Sequence, residues 1–472
     1  MARGEAGTEE EREPSLPLRV RLRRWFRAVL DSAARFTPAR LALGVLTALI
    51  GVSTLMLSLP ISTIDHQRTD FVDALFTAVS AITVTGLVTV DTGSHWSTFG
   101  LVVIMVTIKV GGLGVLTLAS LLSLSVMRRM GLAQRVITAS ETKTERLAEV
   151  GSVLRTILLT STACEVATFL ALAPYMVATD HGLGQSLFLG LFYAVSAFNN
   201  AGFVPEPMGT AQYLGDPFFS IPIGLAVFVG ALGFPVILVV ARSWRSPSRW
   251  SLHAKLTILT SALLFVVGWV AIAALEWTNP ETLGTHDTGT KILASAFASV
   301  MPRSGGFSTM DIGAMHSETH LLLDLLMFIG GGSGSTGGGI KVTTFALLVL
   351  SIWAEVRGNP DVEVFARRIP QETIRQAIGV LALSSAIVMC ASLLMLRLTP
   401  YTLDEVLFEV LSAFGTVGLS TGITAELTTI PKYVLIVCMY VGRIGPMSLG
   451  AALAMRESKR VVRLPVERPI VG

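Results

Sequence analysis

Four short segments that end near a glycine are the residues of this chain best suited to hold a cation. They read FTAVSAITVTGL at 76–87, FYAVSAFNNAGF at 192–203, AFASVMPRSGGF at 296–307 and FEVLSAFGTVGL at 408–419. Aligned on that glycine, three of them carry Phe ten positions earlier and Ser six positions earlier, where the third segment has Ala296 and Val300. Small residues and glycine let an extended backbone aim successive carbonyl oxygens inward, where they replace the water around an ion. A single segment of this kind would be a tight turn, but four in register predict a cation filter.

Each segment contributes four residues to the predicted filter, with the aligned glycine last. A serine in place of such a glycine would narrow or reshape the ring, so glycine at all four positions favours K⁺ over Na⁺. The candidate ion-binding residues, through their backbone carbonyls, are Thr83, Val84, Thr85, Gly86, Asn199, Asn200, Ala201, Gly202, Arg303, Ser304, Gly305, Gly306, Gly415, Thr416, Val417 and Gly418.

The composition is that of a protein that crosses a membrane several times. Of the 472 residues, 51% are hydrophobic and 15% are charged, and the mean hydropathy is +0.65. A soluble domain has about a quarter of its residues charged. The net charge of +3 is too small to indicate nucleic-acid binding.

Eight apolar segments are long enough to span a bilayer, which takes about 20 residues. The predicted outer helices lie near 41–60, 153–178, 252–275 and 371–397, and the inner helices near 97–127, 218–241, 320–352 and 432–455. A run of roughly a dozen apolar residues between the members of each pair is too short to cross and predicts a re-entrant pore helix.

The predicted fold is therefore an all-α polytopic membrane protein, with four parallel repeats of M1, pore helix, filter loop and M2 around one pseudo-fourfold pore. The repeats are predicted at 41–130, 150–242, 252–354 and 371–456, between an N-terminal segment at 1–40 and a tail at 457–472.

The distribution of basic residues predicts the orientation. Lys and Arg cluster before the first span at 19–27 and after the repeats at 128–146, 242–255, 357–375 and 456–468, whereas the filter side carries mostly acids. By the positive-inside rule, both termini and the loops between repeats are cytoplasmic. The stretch RVRLRRWFRAVL is either a basic amphipathic helix on the cytoplasmic surface or a disordered extension.

A glycine-rich stretch, IGGGSGSTGGGIK, interrupts the third inner helix. Each glycine costs a helix about 1 kcal/mol relative to Ala, and non-helical backbone at this depth must line water or pack against protein. It therefore predicts a flexible gate across the conduction path. A phosphate-binding loop is excluded because Ile340 separates the last glycine from the lysine. The candidate gate residues are Gly330, Gly331, Gly332, Ser333, Gly334, Ser335, Thr336, Gly337, Gly338, Gly339 and Lys341.

Charged residues inside the spans complete the candidate site. Arg443 lies in the fourth inner helix, where an Arg costs about 2.5–3.5 kcal/mol and must face water, carbonyls or an acid. We expect it to repel cations below the filter or to bind the glycine-rich stretch. Lys109 has a similar place in the first inner helix and is a candidate for the same role. Glu165, in the second outer helix, fits a packed acid and a transport residue equally well.

The motifs together resemble those of a KtrB-type membrane subunit of the Ktr/Trk/HKT superfamily of potassium transporters. The matching stretches are VTGLVTVDT (84–92), SAFNNAGF (196–203), PRSGGF (302–307), GSTGGGIKVTTF (334–345) and GRIGP (442–446). The resemblance implies K⁺ uptake across a bacterial plasma membrane by a homodimer, with Na⁺ dependence left open. It also implies a cytosolic KtrA-type regulator ring that binds ATP, ADP or NAD, whereas this chain binds no nucleotide. Lys109 departs from the family pattern, which has an uncharged polar residue there.

The sequence disfavours three other functions. A Na⁺-permeable relative is disfavoured by glycine in place of serine in the first loop. A membrane enzyme would need His, Cys or carboxylate clusters within the spans, and the sequence has none. A secondary solute transporter would show inverted repeats, whereas these repeats run parallel.

Overall fold

The computed structural model describes residues 38–114, 147–179, 182–207 and 209–445. The predicted N-terminal helix, the tail and the ends of the first and fourth inner spans lie outside these residues. The helices are α1 (Pro38–Leu57), α2 (Phe71–Thr83), α3 (Thr92–His95), α4 (Thr98–Gly112), α5 (Leu147–Ala178), α6 (Leu183–Phe198), α7 (Pro217–Leu232), α8 (Phe234–Ser243), α9 (Leu252–Glu276), α10 (Thr288–Val300), α11 (Ser317–Phe328), α12 (Val342–Val356), α13 (Gln371–Leu398), α14 (Leu403–Gly415) and α15 (Thr429–Ile444).

Three long helices form the outside of the molecule. The stretches Arg155–Ala178 of α5, Leu252–Glu276 (α9) and Gln371–Leu398 (α13) are each long and apolar enough to cross a membrane. They coincide with three of the predicted outer spans. At most 28% of the residues in their most apolar windows are buried, so these helices turn most of their apolar surface outward, as lipid-facing helices do.

Four short helices, α2, α6, α10 and α14, form the centre, and each packs against the outer helix that precedes it. Their aromatic residues Phe76, Phe192 and Phe408 are completely buried. Polar residues fix where two of them begin. The Thr402 and Glu405 side chains form a capping box on α14, and Asp287 accepts hydrogen bonds from the first turn of α10. The Thr290 hydroxyl and these backbone N–H groups hold the pKa of Asp287 below its ordinary value.

Among the described residues, the second and third inner helices are interrupted, and the sequence predicts this for the third only. The segment at 218–241, predicted as one continuous span, is instead two helices, α7 and α8, that meet at an angle of 101°. Gly233 at the junction has φ +93°, a conformation that favours glycine, and Pro235 follows in the first turn of α8. In the third inner segment, the glycine-rich stretch lies between α11 and α12, as predicted.

A β-hairpin follows α12 and was not predicted. Strand β1 (Val362–Val364) pairs antiparallel with β2 (Arg367–Ile369), and Phe365 and Ala366 at the turn have positive φ. Val362 and Ile369 are paired in register and pack with Ala354 of α12 in a small separate core. The three-residue strands were too short for an alternation of apolar and polar residues to show.

Candidate functional site

The four glycine-ending loops share one local conformation. In each, the residue two positions before the aligned glycine is left-handed: φ is +58° at Val84, +59° at Asn200, +67° at Ser304 and +48° at Thr416. This conformation is uncommon for residues other than glycine and a genuine outlier for β-branched ones. The sequence predicts an extended loop whose conformational freedom comes from glycine, and it does not predict a left-handed residue of another type before that glycine.

Serines at the ends of the short helices hold the first and fourth loops. Ser80 accepts from Thr85 N at 2.8 Å with its carbonyl and from Gly86 N at 3.0 Å with its hydroxyl. Ser412 makes the same two bonds in the fourth loop, the hydroxyl accepting from Gly418 N at 3.1 Å. These bonds give the recurring serine a structural role.

The second and third loops are held differently. In the second, the Ser196 carbonyl accepts from Ala201 N, but its hydroxyl donates to the Phe203 carbonyl. In the third, Val300 has no hydroxyl, and the Met301 carbonyl accepts from Gly305 N at 2.7 Å and from Gly306 N at 3.4 Å.

The aligned glycines meet in cyclic order. A β-carbon built on Gly86 would lie 3.2 Å from the Cα of Gly202, one on Gly202 would lie 2.7 Å from that of Gly306, and one on Gly306 would lie 3.5 Å from that of Gly418. One on Gly418 would lie 3.0 Å from the Cα of Gly86, which closes the ring. All four have positive φ, so the ring tolerates no side chain at these positions without strain.

Side chains of the filter candidates turn into the surrounding protein. Arg303 is 2% exposed; its guanidinium donates to the Ser261 carbonyl and lies over the Phe228 ring. The Asn199 amide donates to Glu165 at 2.7 Å, and the Asn200 amide donates to the Val227 carbonyl at 3.2 Å. Hydrogen bonds therefore anchor these three side chains in the surrounding protein.

The inner helices press against the carboxyl ends of the short helices through glycines. A methyl group on Gly111 would lie 2.1 Å from the Ile82 carbonyl oxygen, and one on Gly442 would lie 1.9 Å from that of Phe414. Gly230 approaches the Phe198 carbonyl in the same way. Sequence reasoning missed Gly111 and Gly230. Their signal was glycine inside an apolar helix, which usually has a packing reason.

The glycine-rich stretch packs directly under three of the loops. Thr336 Oγ1 donates to Asn200 Oδ1 at 2.8 Å, and Gly338 N donates to Thr416 Oγ1 at 2.9 Å. A β-carbon on Gly337 would lie 2.8 Å from Ser304 Oγ. The structure thus brings the predicted gate into contact with predicted filter residues of the second, third and fourth loops.

Hydrogen bonds also join residues within the glycine-rich stretch to one another and join the stretch to α7. Gly330 N donates to the Ile340 carbonyl at 2.8 Å, and Lys341 Nζ donates to the Gly337 carbonyl at 2.7 Å. Gly332 N donates to the Ala231 carbonyl at 2.7 Å. These bonds satisfy backbone groups that have no helical partner.

Arg443 bridges the glycine-rich stretch and the first inner helix. One guanidinium nitrogen donates to the Thr336 carbonyl, and the other donates to the Gly111 carbonyl at the end of α4. A half-buried Arg is thus held by backbone carbonyls, one of the surroundings predicted for it.

Lys109 is paired with an acid of the second outer helix. The hydrogen bonds described for its amino group go to Ser161 Oγ and to both Glu165 carboxylate oxygens, each at 2.7 Å. Lys109 is predicted to share the role of Arg443 and to add a positive charge near the pore. Glu165 lies against that charge, and the shared role stays a prediction.

Comparison with known proteins gives the family. The family model TrkH, described as a cation transport protein, matches residues 24–463. The chain belongs to the TrkH family of cation transport proteins. It is 39% identical to Ktr system potassium uptake protein B of Bacillus subtilis, over 90% of this chain and 95% of that relative. The protein of the same name from Vibrio alginolyticus is 36% identical, over 91% and 94%.

A further relative and a solved structure extend the comparison. Potassium/sodium uptake protein NtpJ of Enterococcus hirae is 32% identical, over 90% of this chain and 94% of that relative. The crystal structure of the potassium transporter TrkH from Vibrio parahaemolyticus superposes with a TM-score of 0.67 at 20% identity, covering 87% of this chain and 83% of the other. That likeness shows the fold. The KtrB-type resemblance read from the motifs is confirmed, and so is the prediction of a transporter rather than an enzyme.

Proposed function

We propose that this protein takes up K⁺ across the bacterial plasma membrane through the ring of four glycine-ending loops. The observation that carries the proposal is the cyclic contact of Gly86, Gly202, Gly306 and Gly418. Backbone carbonyls of the four loops would replace the water around the ion. Support comes from the outward-turned side chains, which leave the backbone to contact the ion, and from relatives named as potassium uptake proteins.

The membrane potential would drive the ion inward. A potential of 100 mV supplies about 2.3 kcal/mol for each K⁺ that enters. This free energy concentrates K⁺ without nucleotide hydrolysis by this chain.

The gate in this proposal is the glycine-rich stretch together with Arg443. Thr336, Gly338 and Lys341 hold the stretch closed under the loops, and the guanidinium places a positive charge beside it. Ions pass when the bonds to Asn200, Thr416 and Arg443 break and the stretch moves aside. Glycine-rich backbone suits this motion because it has no preferred helical state.

The partners in this proposal are a second copy of the chain and a cytosolic KtrA-type ring that binds ATP, ADP or NAD. They are carried by the resemblance to KtrB-type subunits. The basic segments at the termini and between repeats orient both termini toward the cytoplasm, where such a ring would meet the gate.

Growth of a transport-deficient bacterium at low external K⁺ tests the proposed function. Expression of the chain with a matching regulator subunit restores growth if the proposal holds. Failure to restore growth, with the protein shown to be in the membrane, would refute K⁺ uptake.

A Na⁺-permeable relative is the second candidate, because NtpJ is named as a potassium/sodium uptake protein. Glycine at all four ring positions argues for K⁺. Competition separates the two: excess Na⁺ leaves Rb⁺ uptake unchanged if K⁺ is the substrate and suppresses it if both ions share the filter.

A further inference from the structure

A partly buried ion pair outside the ring connects the second outer helix to the first inner helix. Both Glu165 carboxylate oxygens on α5 lie 2.7 Å from Lys109 Nζ on α4, and Ser161 one turn earlier completes the cluster. The Glu165 side chain is 8% exposed and that of Lys109 25%. A buried charge survives only when paired, so each residue holds the other in place.

The same carboxylate also holds the second loop. Asn199 Nδ2 donates to Glu165 Oε1 at 2.7 Å and to the Val195 carbonyl at 2.8 Å. The neighbouring Asn200 accepts from Thr336 of the glycine-rich stretch. Both asparagines are completely buried, so a displaced Glu165 has no water to take its place.

The contacts of Arg443 close this chain of bonds into a circuit. Glu165 binds Asn199, and the adjacent Asn200 binds the Thr336 hydroxyl. The Thr336 carbonyl binds Arg443, which also binds the Gly111 carbonyl on α4. Lys109 lies two residues before Gly111 on the same helix, and its bond to Glu165 completes the circuit.

We propose that Glu165, paired with Lys109, is a positioning residue that couples the glycine-rich gate to the second filter loop. It fixes the asparagine that begins that loop and the helix end that receives Arg443. The inference rests on the proposed K⁺ uptake. Glu165 thereby takes a role in both selectivity and gating, although its side chain contacts neither the ion nor the glycine-rich stretch.

Two flux measurements on purified protein in K⁺-loaded vesicles test this coupling. The K⁺ preference over Na⁺ in competition with Rb⁺ reports the filter, and Rb⁺ flux without the regulator reports the gate. Glu165→Gln leaves Lys109 unpaired; we expect it to lower the K⁺ preference about tenfold, as for one lost hydrogen bond to a charged group, and to raise regulator-free flux. Lys109→Met has the same two effects.

The double variant Lys109→Met/Glu165→Gln removes both charges and keeps an acceptor for Asn199. We expect it to recover most of the K⁺ preference lost in the single variants. If the single-variant proteins do not accumulate in the membrane, Glu165→Asp replaces them in the test. It keeps the ion pair but draws the carboxylate away from Asn199. It is expected to shift both readouts.

The ion pair between Lys432 on α15 and Asp73 on α2 provides the matched control. Its nitrogen and oxygen are 2.6 Å apart, and neither residue belongs to the circuit. Lys432→Met is expected to lower thermal stability with both flux readouts unchanged.

The coupling would be overturned if Glu165→Gln kept both the K⁺ preference and the regulator-free flux of the wild type. A change in only one of these two measurements would also overturn it. Absence of Rb⁺ flux through the wild-type chain with its regulator would refute the proposed function and this inference with it.

Discussion

Replacing Gly86 with serine is the sharpest perturbation of the ring. The new Cβ would lie 2.4 Å from the Ala201 carbonyl oxygen, whereas ordinary contact begins at 3.4 Å, so the first or second loop must move by about 1.0 Å (3.4 − 2.4). At φ +96° any side chain is also strained, at about 1–3 kcal/mol. Because the clashing atom is a backbone oxygen, no side-chain rotation relieves the contact.

The clash is expected to appear as lost ion selectivity. If moving the loop costs K⁺ coordination about 1–3 kcal/mol, the preference for K⁺ over Na⁺ falls about 5- to 150-fold at 1.4 kcal/mol per tenfold. The assay is Rb⁺ uptake into vesicles, with K⁺ and Na⁺ each titrated as competitor.

Gly422→Ser is the matched control for backbone strain. Gly422 has a similar φ of +104°, but a Cβ there would meet nothing within 4 Å. It is expected to cost stability and to leave ion preference unchanged. An unchanged K⁺ preference in Gly86→Ser, or an equal loss in Gly422→Ser, would refute the argument that close approach of the loops sets selectivity.

Three further predictions concern the contacts around the ring. Arg443→Gln removes a charge and weakens two hydrogen bonds; we expect regulator-free Rb⁺ flux to rise about tenfold or more. Ser412→Ala leaves the Gly418 N–H without its acceptor, which costs about 1–3 kcal/mol; thermal melting and K⁺ preference should both fall. Thr416→Val keeps the side-chain shape but removes the acceptor for Gly338 N, so the flux through the closed gate should rise.

Each of these variants has an outcome that contradicts its reasoning. Unchanged flux in Arg443→Gln would mean that the guanidinium is no barrier. Ser295→Ala is the control for Ser412→Ala, because this buried hydroxyl donates only to carbonyls of its own helix, at Lys291 and Ile292. An equal loss of stability in both variants would show that the bond to Gly418 N contributes no more than an ordinary hydrogen bond within a helix. Thr416→Val with wild-type flux would show that this contact does not close the gate.

The order of long helix, short helix, loop and second helix could be predicted from sequence because apolar length and four aligned glycines are direct signals. The glycine-rich interruption of the third inner helix was equally readable from composition. The 101° bend at Gly233 could not be predicted, because one glycine with a proline two residues later is compatible with a continuous apolar span. The hairpin at Val362–Ile369 gave no signal in strands of three residues.

The candidate site was predictable where it depends on backbone chemistry and unpredictable where it depends on partners distant in sequence. The glycines of the ring and the charged Arg443 could be chosen as candidates from their residue type alone. The pairing of Lys109 with Glu165 joins positions 56 residues apart on different helices, and nothing in the sequence specifies which face of either helix meets the other. The same holds for the bond from Asn199 to Glu165.

Rb⁺ flux through the purified chain with its regulator, in vesicles with K⁺ inside, tests the central claim most directly. If the four loops form a K⁺ filter, Rb⁺ accumulates, external K⁺ competes with it, and an equal concentration of Na⁺ does not. Flux that Na⁺ blocks as well as K⁺ does, or no flux from protein shown to be folded and inserted, would contradict a ring that selects K⁺.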